Sequence, residues 1–235
     1  MSINLYGEEL SLLLESRQQN VSYDIGRLCG VIYEIIDLHK EYAQQDINNY
    51  NLRKTLVNHI LEQVDDTDTY IINKDFHTTL NKYLSHVDRL TIESELEYTY
   101  SDLDCRVRVK QQESIIYKIG HYHSGKAESG KLPLNKCLND LVGFRVVLPD
   151  FNHTCQSFEE MCSYIGKNYR IKYRNSSKGE YKATHVYFYG AGNMNFPWEL
   201  QIWLPEDHAN NYESHNKHKQ GYKESAKIHK ESFTF

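Results

Sequence analysis

Trp198-Glu199-Leu200-Gln201-Ile202-Trp203-Leu204 alternates so strictly that it has to be a β-strand, with Glu199, Gln201 and Trp203 on one face and Trp198, Leu200 and Ile202 on the other. A carboxylate and an amide in so apolar a strand need hydrogen bonds, a charged partner or a metal ion. The alternative is an edge strand with one wet face. Working outward, residues 105–110 (CRVRVK), 144–148 (FRVVL) and 184–189 (THVYFY) carry the same alternating or β-branched texture. Helical stretches at Glu113 to His121 and Gln156 to Asn168 interleave with them. The reading is an α/β or α+β core with a sheet of four or five strands.

Upstream of Asp104 the period changes. Ile25, Leu28, Val31, Ile32, Ile35, Ile36, Leu38 and Tyr42 recur at three and four residues, which predicts an amphipathic helix from Val21 to Gln45. Two more helices are expected, at Asn51 to Val64, with Leu52, Leu56, Ile60 and Val64 as its stripe, and at Asp75 to Glu97. The chain thus divides into a helical N-terminal region (1–100), a core (101–209) and a basic C-terminal helix (210–235). Residues 121–131 (HYHSGKAESGK) lack apolar content and read as a mobile loop.

Composition sets limits on function. The 235 residues are 40% hydrophobic and 12% aromatic, which argues against disorder, and a mean hydropathy of -0.68 argues for a polar surface. A net charge of -5 leaves only local basic patches for nucleic acid. Five cysteines without CxxC spacing read as reduced thiols. With no long apolar run and no basic, apolar leader, the expectation is a cytoplasmic protein with no membrane partner.

Three further constellations carry chemistry. Arg108 and Lys110 share a strand face, and Ser114 and Lys118 lie one turn apart at the start of the following helix, together a candidate cradle for a polyphosphate. Taken alone, this segment reads more simply as a solvated basic strand and helix. Asp140 precedes a buried strand in which Gly143 permits close approach and Arg145 opposes the apolar face; an Asp140–Arg145 ion pair is the structural alternative. Tyr181, four residues before His185, is an aromatic at a turn-to-strand junction, suited to stacking on a base, although most of the 19 tyrosines serve packing.

In order, these pieces read RxKxxxS with Lys four later, DxxGxR, YxxxH, ExQ, and then His218-Lys219 with Tyr222-Lys223 close behind. That order resembles the synthetase domain of the RelA/SpoT family, particularly its short stand-alone alarmone synthetases, over roughly Asp104 to Glu224. No His-Asp hydrolase region precedes it. The resemblance implies a mixed, about five-stranded sheet of the nucleotidyltransferase-like type and an ATP-dependent pyrophosphokinase. Such an enzyme moves the β,γ-diphosphate of ATP to the ribose 3′-hydroxyl of GDP or GTP. It also implies roles: Arg108, Lys110, Ser114, Lys118 and Arg145 on ATP; Asp140 and Glu199 on Mg²⁺; Tyr181, His185 and Gln201 on the acceptor; and Glu199, Asp140 and Arg108 in catalysis.

Two departures from the family pattern stand out. Gly179-Glu180-Tyr181 replaces the usual Asn-Gly-Tyr, and Trp203 replaces Arg. The QxW pattern and Asn-Tyr-Glu-Ser-His at 211–215 resemble a toxin branch, some of whose members pyrophosphorylate the 3′ CCA end of tRNA instead of a free guanine nucleotide. Membership there would imply an antitoxin partner and tRNA contacts by Lys217, Lys219, Lys223 and Lys227. A homo-oligomer is compatible with either branch. A non-catalytic nucleic-acid-binding module would explain the lysines and tyrosines but leave the carboxylates in apolar strands without a purpose.

Overall fold

The computed structural model describes residues 23–44, 48–64, 69–124 and 129–228. Helix α1 (Tyr23–Ala43) forms where the three-and-four period predicts it, burying Ile25, Leu28, Ile32, Ile35 and Ile36 along one stripe. A second long helix, α2 (Lys74–Glu93), is capped by the Asn73 side chain, which accepts from the Phe76 N–H. Phe76, Leu80, Tyr83, Val87 and Leu90 form its buried stripe.

Two expectations for this region are corrected. The helix expected at Asn51 to Val64 does not form; the segment holds a 3₁₀ turn (Val57–Ile60) and strand β1 (Leu61–Gln63), which pairs antiparallel with β2 (Tyr70–Ile72). Its backbone groups are engaged elsewhere. Val57 and Asn58 donate to the carbonyls of Leu132 and Gly130, while Leu134 and Asn135 donate to those of Thr55 and Leu52. Leu52 and Ile60 of the expected stripe are fully buried, but Leu56 and Val64 are only half-buried, and Val57, outside the stripe, is buried in their place. The helix expected to run from Asp75 to Glu97 breaks after Glu93. Glu95 adopts a left-handed conformation (φ 51°) and starts a separate turn, α3 (Leu96–Thr99), which places Leu96 and Tyr100 in the core.

The remaining strands are β3 (Arg106–Val109), β4 (Val142–Val147), β5 (Ile171–Asn175), β6 (Thr184–Phe188) and β7 (Trp198–Trp203). They form one five-stranded mixed sheet in the order β3-β4-β7-β6-β5, with only β4 and β7 parallel. One face is apolar: Phe144, Val146, Val186, Trp198, Leu200 and Ile202 are almost fully buried and share a continuous core with α1 and α2. Trp198 donates from Nε1 to the Tyr83 hydroxyl at 2.9 Å, and His39 of α1 meets the Trp198 ring edge-on.

Helix α4 (Gln112–Ser124) follows β3, extending past the expected end at His121 into the segment read as a loop. After the short α5 (Leu134–Cys137) and β4 comes α6 (Gln156–Ile165). The final helix, α7 (His208–Ile228), packs along α4. Among the described residues no helix is long and apolar enough to cross a membrane.

Candidate active site

The other face of the sheet is polar, and strand register arranges it in two rows. Arg108, Gly143, Glu199, Tyr187 and Lys172 face one another across β3, β4, β7, β6 and β5, and beside them run Arg106, Arg145, Gln201, His185 and Arg174. Cations occupy both edge strands and a single carboxylate stands in the middle. All ten line one cleft of about 1260 Å³, walled by α4 and α7. At Gly143 an added Cβ would meet nothing within 4 Å, so the floor between Arg108 and Glu199 is open.

The cleft gathers ten candidates of the motif series: Arg108, Lys110, Ser114, Lys118, Asp140, Arg145, Tyr181, His185, Glu199 and Gln201. Of the α7 lysines, Lys217 lies on the exposed side, 2.7 Å from Glu213. The side chains of Lys219, Lys223 and Lys227 lie outside the described residues, as do those of His218 and Tyr222.

Asp140 is not paired with Arg145. Its Oδ2 accepts from Lys110 Nζ at 2.6 Å and its Oδ1 from Lys118 Nζ at 2.8 Å; Lys118 also reaches Asn139 Oδ1 at 3.3 Å. Burial alone would raise the Asp140 carboxyl, but the two ammonium charges outweigh it and hold the group far below the usual carboxylate range. Burial also lowers Lys110, partly opposed by the Asp140 charge. Arg145 instead binds Asp104, at 2.9 Å, and the Tyr212 hydroxyl, with its guanidinium over the Trp203 ring. Arg145 Nε is buried and has no hydrogen-bond partner among the described residues.

Glu199 is caged by two hydrogen-bond donors, an imidazole and an amide. His185 Nδ1 lies 2.9 Å from its Oε1 and Gln201 Nε2 donates to its Oε2 at 2.8 Å. Burial pushes this carboxyl up, and the hydrogen bond and charge of His185 bring it below its ordinary value. His185 is itself buried, with Nε2 2.7 Å from the Tyr181 hydroxyl and Nδ1 3.1 Å from that of Tyr187. Because the carboxylate can only accept, the N–H of a neutral His185 belongs on Nδ1, and Tyr181 donates to Nε2. Tyr181 is therefore half-buried and tethered; burial, followed by the Glu199 charge, raises its hydroxyl.

Among the described residues no group of three His, Cys, Asp or Glu side chains gathers. Asp140 and Glu199 nevertheless line the same cleft. A hard divalent cation is commonly held by one or two carboxylates, with water and substrate phosphates completing its shell, so this pair fits such an ion.

Residues 107–227 match the family described as the region found in RelA / SpoT proteins. The chain belongs to the RelA/SpoT family. Solved structures similar to it include small alarmone synthetase 1 from Bacillus subtilis, at 17% identity and a TM-score of 0.34, over 66% of this chain and 91% of that one. A GTP pyrophosphokinase family protein from Streptococcus pneumoniae matches at 19% and 0.34, over 67% and 88%. The Bacillus subtilis synthetase 1 bound to AMPCPP matches at 17% and 0.30, over 66% and 90%. A search of curated proteins finds no match.

In this RelA/SpoT domain several cleft residues escaped the motif reading. Lys172 and Arg174 are two cations two apart on β5, the same signal that singled out Arg108 and Lys110, but IKYRN is too polar to announce a strand. Tyr187, two residues after His185, and Arg106, two before Arg108, were legible by the same alternation. His215 was visible only as part of a motif, without a role.

Proposed function

We propose that this cleft transfers the β,γ-diphosphate of ATP to the ribose 3′-hydroxyl of a guanine nucleotide, releasing AMP. The observation that carries the reading is the division of one cleft by the open floor at Gly143. A basic half holds Arg108, Lys110, Ser114 and Lys118 around Asp140; a hydrogen-bonded half holds Tyr181, His185 and Gln201 around Glu199. Its volume of about 1260 Å³ exceeds the few hundred to about 1,000 Å³ of a single-ligand pocket and suits a donor and an acceptor side by side. Family membership supports the reaction class.

The acceptor oxygen attacks the β-phosphorus, the bond from that phosphorus to the α–β bridging oxygen breaks, and AMP leaves with that oxygen. Such transfers depend on positioning and charge neutralisation. Lys110, Lys118, Arg108 and Arg145 bind and orient the donor phosphates, Tyr181 holds the acceptor base, and Glu199 takes the proton of the attacking hydroxyl. Asp140 and Glu199 are the residues that would hold Mg²⁺, which when bound neutralises phosphate charge.

A second reading, with the 3′ end of tRNA as acceptor, is favoured by one observation. The acceptor half opens onto Lys172, Arg174 and Lys178 interleaved with Tyr187 and Tyr189, a basic and aromatic rim of the kind that binds single strands. Incubation with ATP labelled at the γ-phosphate, together with GDP, GTP or tRNA, separates the readings by where the label goes. No AMP with any acceptor would leave a non-catalytic binding module.

A further inference from the structure

The cage around Glu199 has a member that comes from outside the sheet. His215, on α7, places Nε2 3.3 Å from Gln201 Oε1. Its ring stacks on Trp203 at 28° and 5.6 Å and meets Tyr181 edge-on at 5.5 Å. Helix register puts it there. Asn211, fully buried and one turn earlier on the same face, exchanges two 2.8 Å hydrogen bonds with the backbone of Lys182, joining α7 to the strand entry beside Tyr181.

Charge fixes the direction of each bond. A carboxylate only accepts, so the amide nitrogen of Gln201 faces Glu199 and its oxygen faces α7. His215 must then donate from Nε2, whether neutral or protonated. A Gln201 amide turned over would set oxygen against carboxylate, and would keep its bond to His215 only if the imidazole moved its proton from Nε2 to Nδ1.

We propose that His215 is a positioning residue for the transfer reaction: it holds Gln201 in the one amide orientation that donates to Glu199, and so fixes the direction of that carboxylate. The inference rests on the pyrophosphotransferase reading for its kinetic consequence, but not for its geometry. Residues one step removed from a reacting or metal-holding group commonly cost about 10- to 100-fold in activity when lost.

The test compares His215→Phe, which keeps a ring against Trp203 but donates nothing, with His215→Gln, whose amide can donate from nearly the same place. For His215→Phe, kcat should fall about 10- to 100-fold while KM for ATP and the melting temperature stay near the parent's. His215→Gln should recover most of the loss. In a Gln201→Ala background, His215→Phe should add little, because the two act through one bond. A readout independent of turnover is the side-chain amide ¹⁵N–¹H signal pair of Gln201, which should shift in His215→Phe and return in His215→Gln. An unchanged pair, or full additivity of the two kinetic losses, overturns the proposal. If the parent makes no AMP with any acceptor, the function proposed above falls, and the amide signals alone decide the role of His215.

Discussion

Asp140 and Glu199 stand in one cleft, on adjacent strands or their approaches, yet their surroundings are opposite. Asp140 has an ammonium on each oxygen, so its immediate cluster carries a net positive charge. Glu199 has an imidazole, His185, and an amide, Gln201, on its oxygens, and no ammonium group. Where two carboxyls are pushed into different environments, they are equipped for different work. On the function proposed above, the first would receive polyphosphate and its counter-cation, since arriving phosphates offer the lysines another anion and free the carboxylate. On the same function, the second would direct the attacking hydroxyl.

The contrast breaks most simply at Glu199. Glu199→Gln removes the charge with little change of volume, and AMP production should fall about 1000-fold, or about 4 kcal/mol, in a variant that still folds. A folded variant that keeps near-parental AMP release would put the two carboxyls on an equal footing. Asp140→Asn should do the reverse in emphasis. It leaves two ammonium groups facing each other in a partly buried site, and urea denaturation should show a loss of about 3 to 4 kcal/mol. The Mg²⁺ concentration for half-maximal activity should also rise. Adding Lys110→Met should restore part of the stability but none of the activity.

A pH series sharpens the comparison only after correction for a group outside the cleft. Fully buried His39 donates from Nε2 to the Phe196 carbonyl and accepts from Tyr169 on Nδ1, and burial lowers it from 6.5 to about 4. Below 6.5 the unfolded chain takes up a proton that the folded chain refuses. Stability is therefore lost as pH falls from about 6.5 to about 4, by up to about 3 kcal/mol. Denaturation midpoints across that range should show this slope, and His39→Gln should flatten it. The smallest effect on the fold is expected at the divide between the halves. Gly143→Ala finds open space for its methyl group, so its stability should stay within about 0.5 kcal/mol of the parent. KM for ATP or acceptor should rise because the floor is higher. A KM unchanged for both substrates would show that the floor is not where they meet.

What the sequence disclosed follows from the range of each interaction. β4, β6 and β7 were legible because burial of one face imposes an alternation that any reader of Phe144, Val186 or Leu200 can see. β5 was not, since four of its five residues are exposed and nothing apolar marks them. The segment at 51–64 misled because Leu52, Leu56, Ile60 and Val64 satisfy a helical stripe, while its hydrogen bonds are decided by residues 130–135, far along the chain. The cleft residues were legible singly, as cations and carboxylates out of place in strands. Their partners were not. That Asp140 would choose Lys110 and Lys118, and Arg145 choose Asp104, depends on register and helix placement that no local pattern encodes.

The parallel seam between β4 and β7 has a consequence for how the chain reaches this state. Gly143 and Glu199 face each other across it, and all of α6, β5 and β6 lie between the two strands in sequence. The β5–β6 and β6–β7 pairings close over shorter loops and cost less chain entropy, whereas the seam must wait for the longest closure in the sheet. Packing substitutions within the β5–β6 hairpin should then slow folding, while Phe144→Leu on the seam should mainly hasten unfolding. The polar floor would be the last part of the sheet to exist on the way in and the first to be lost on the way out.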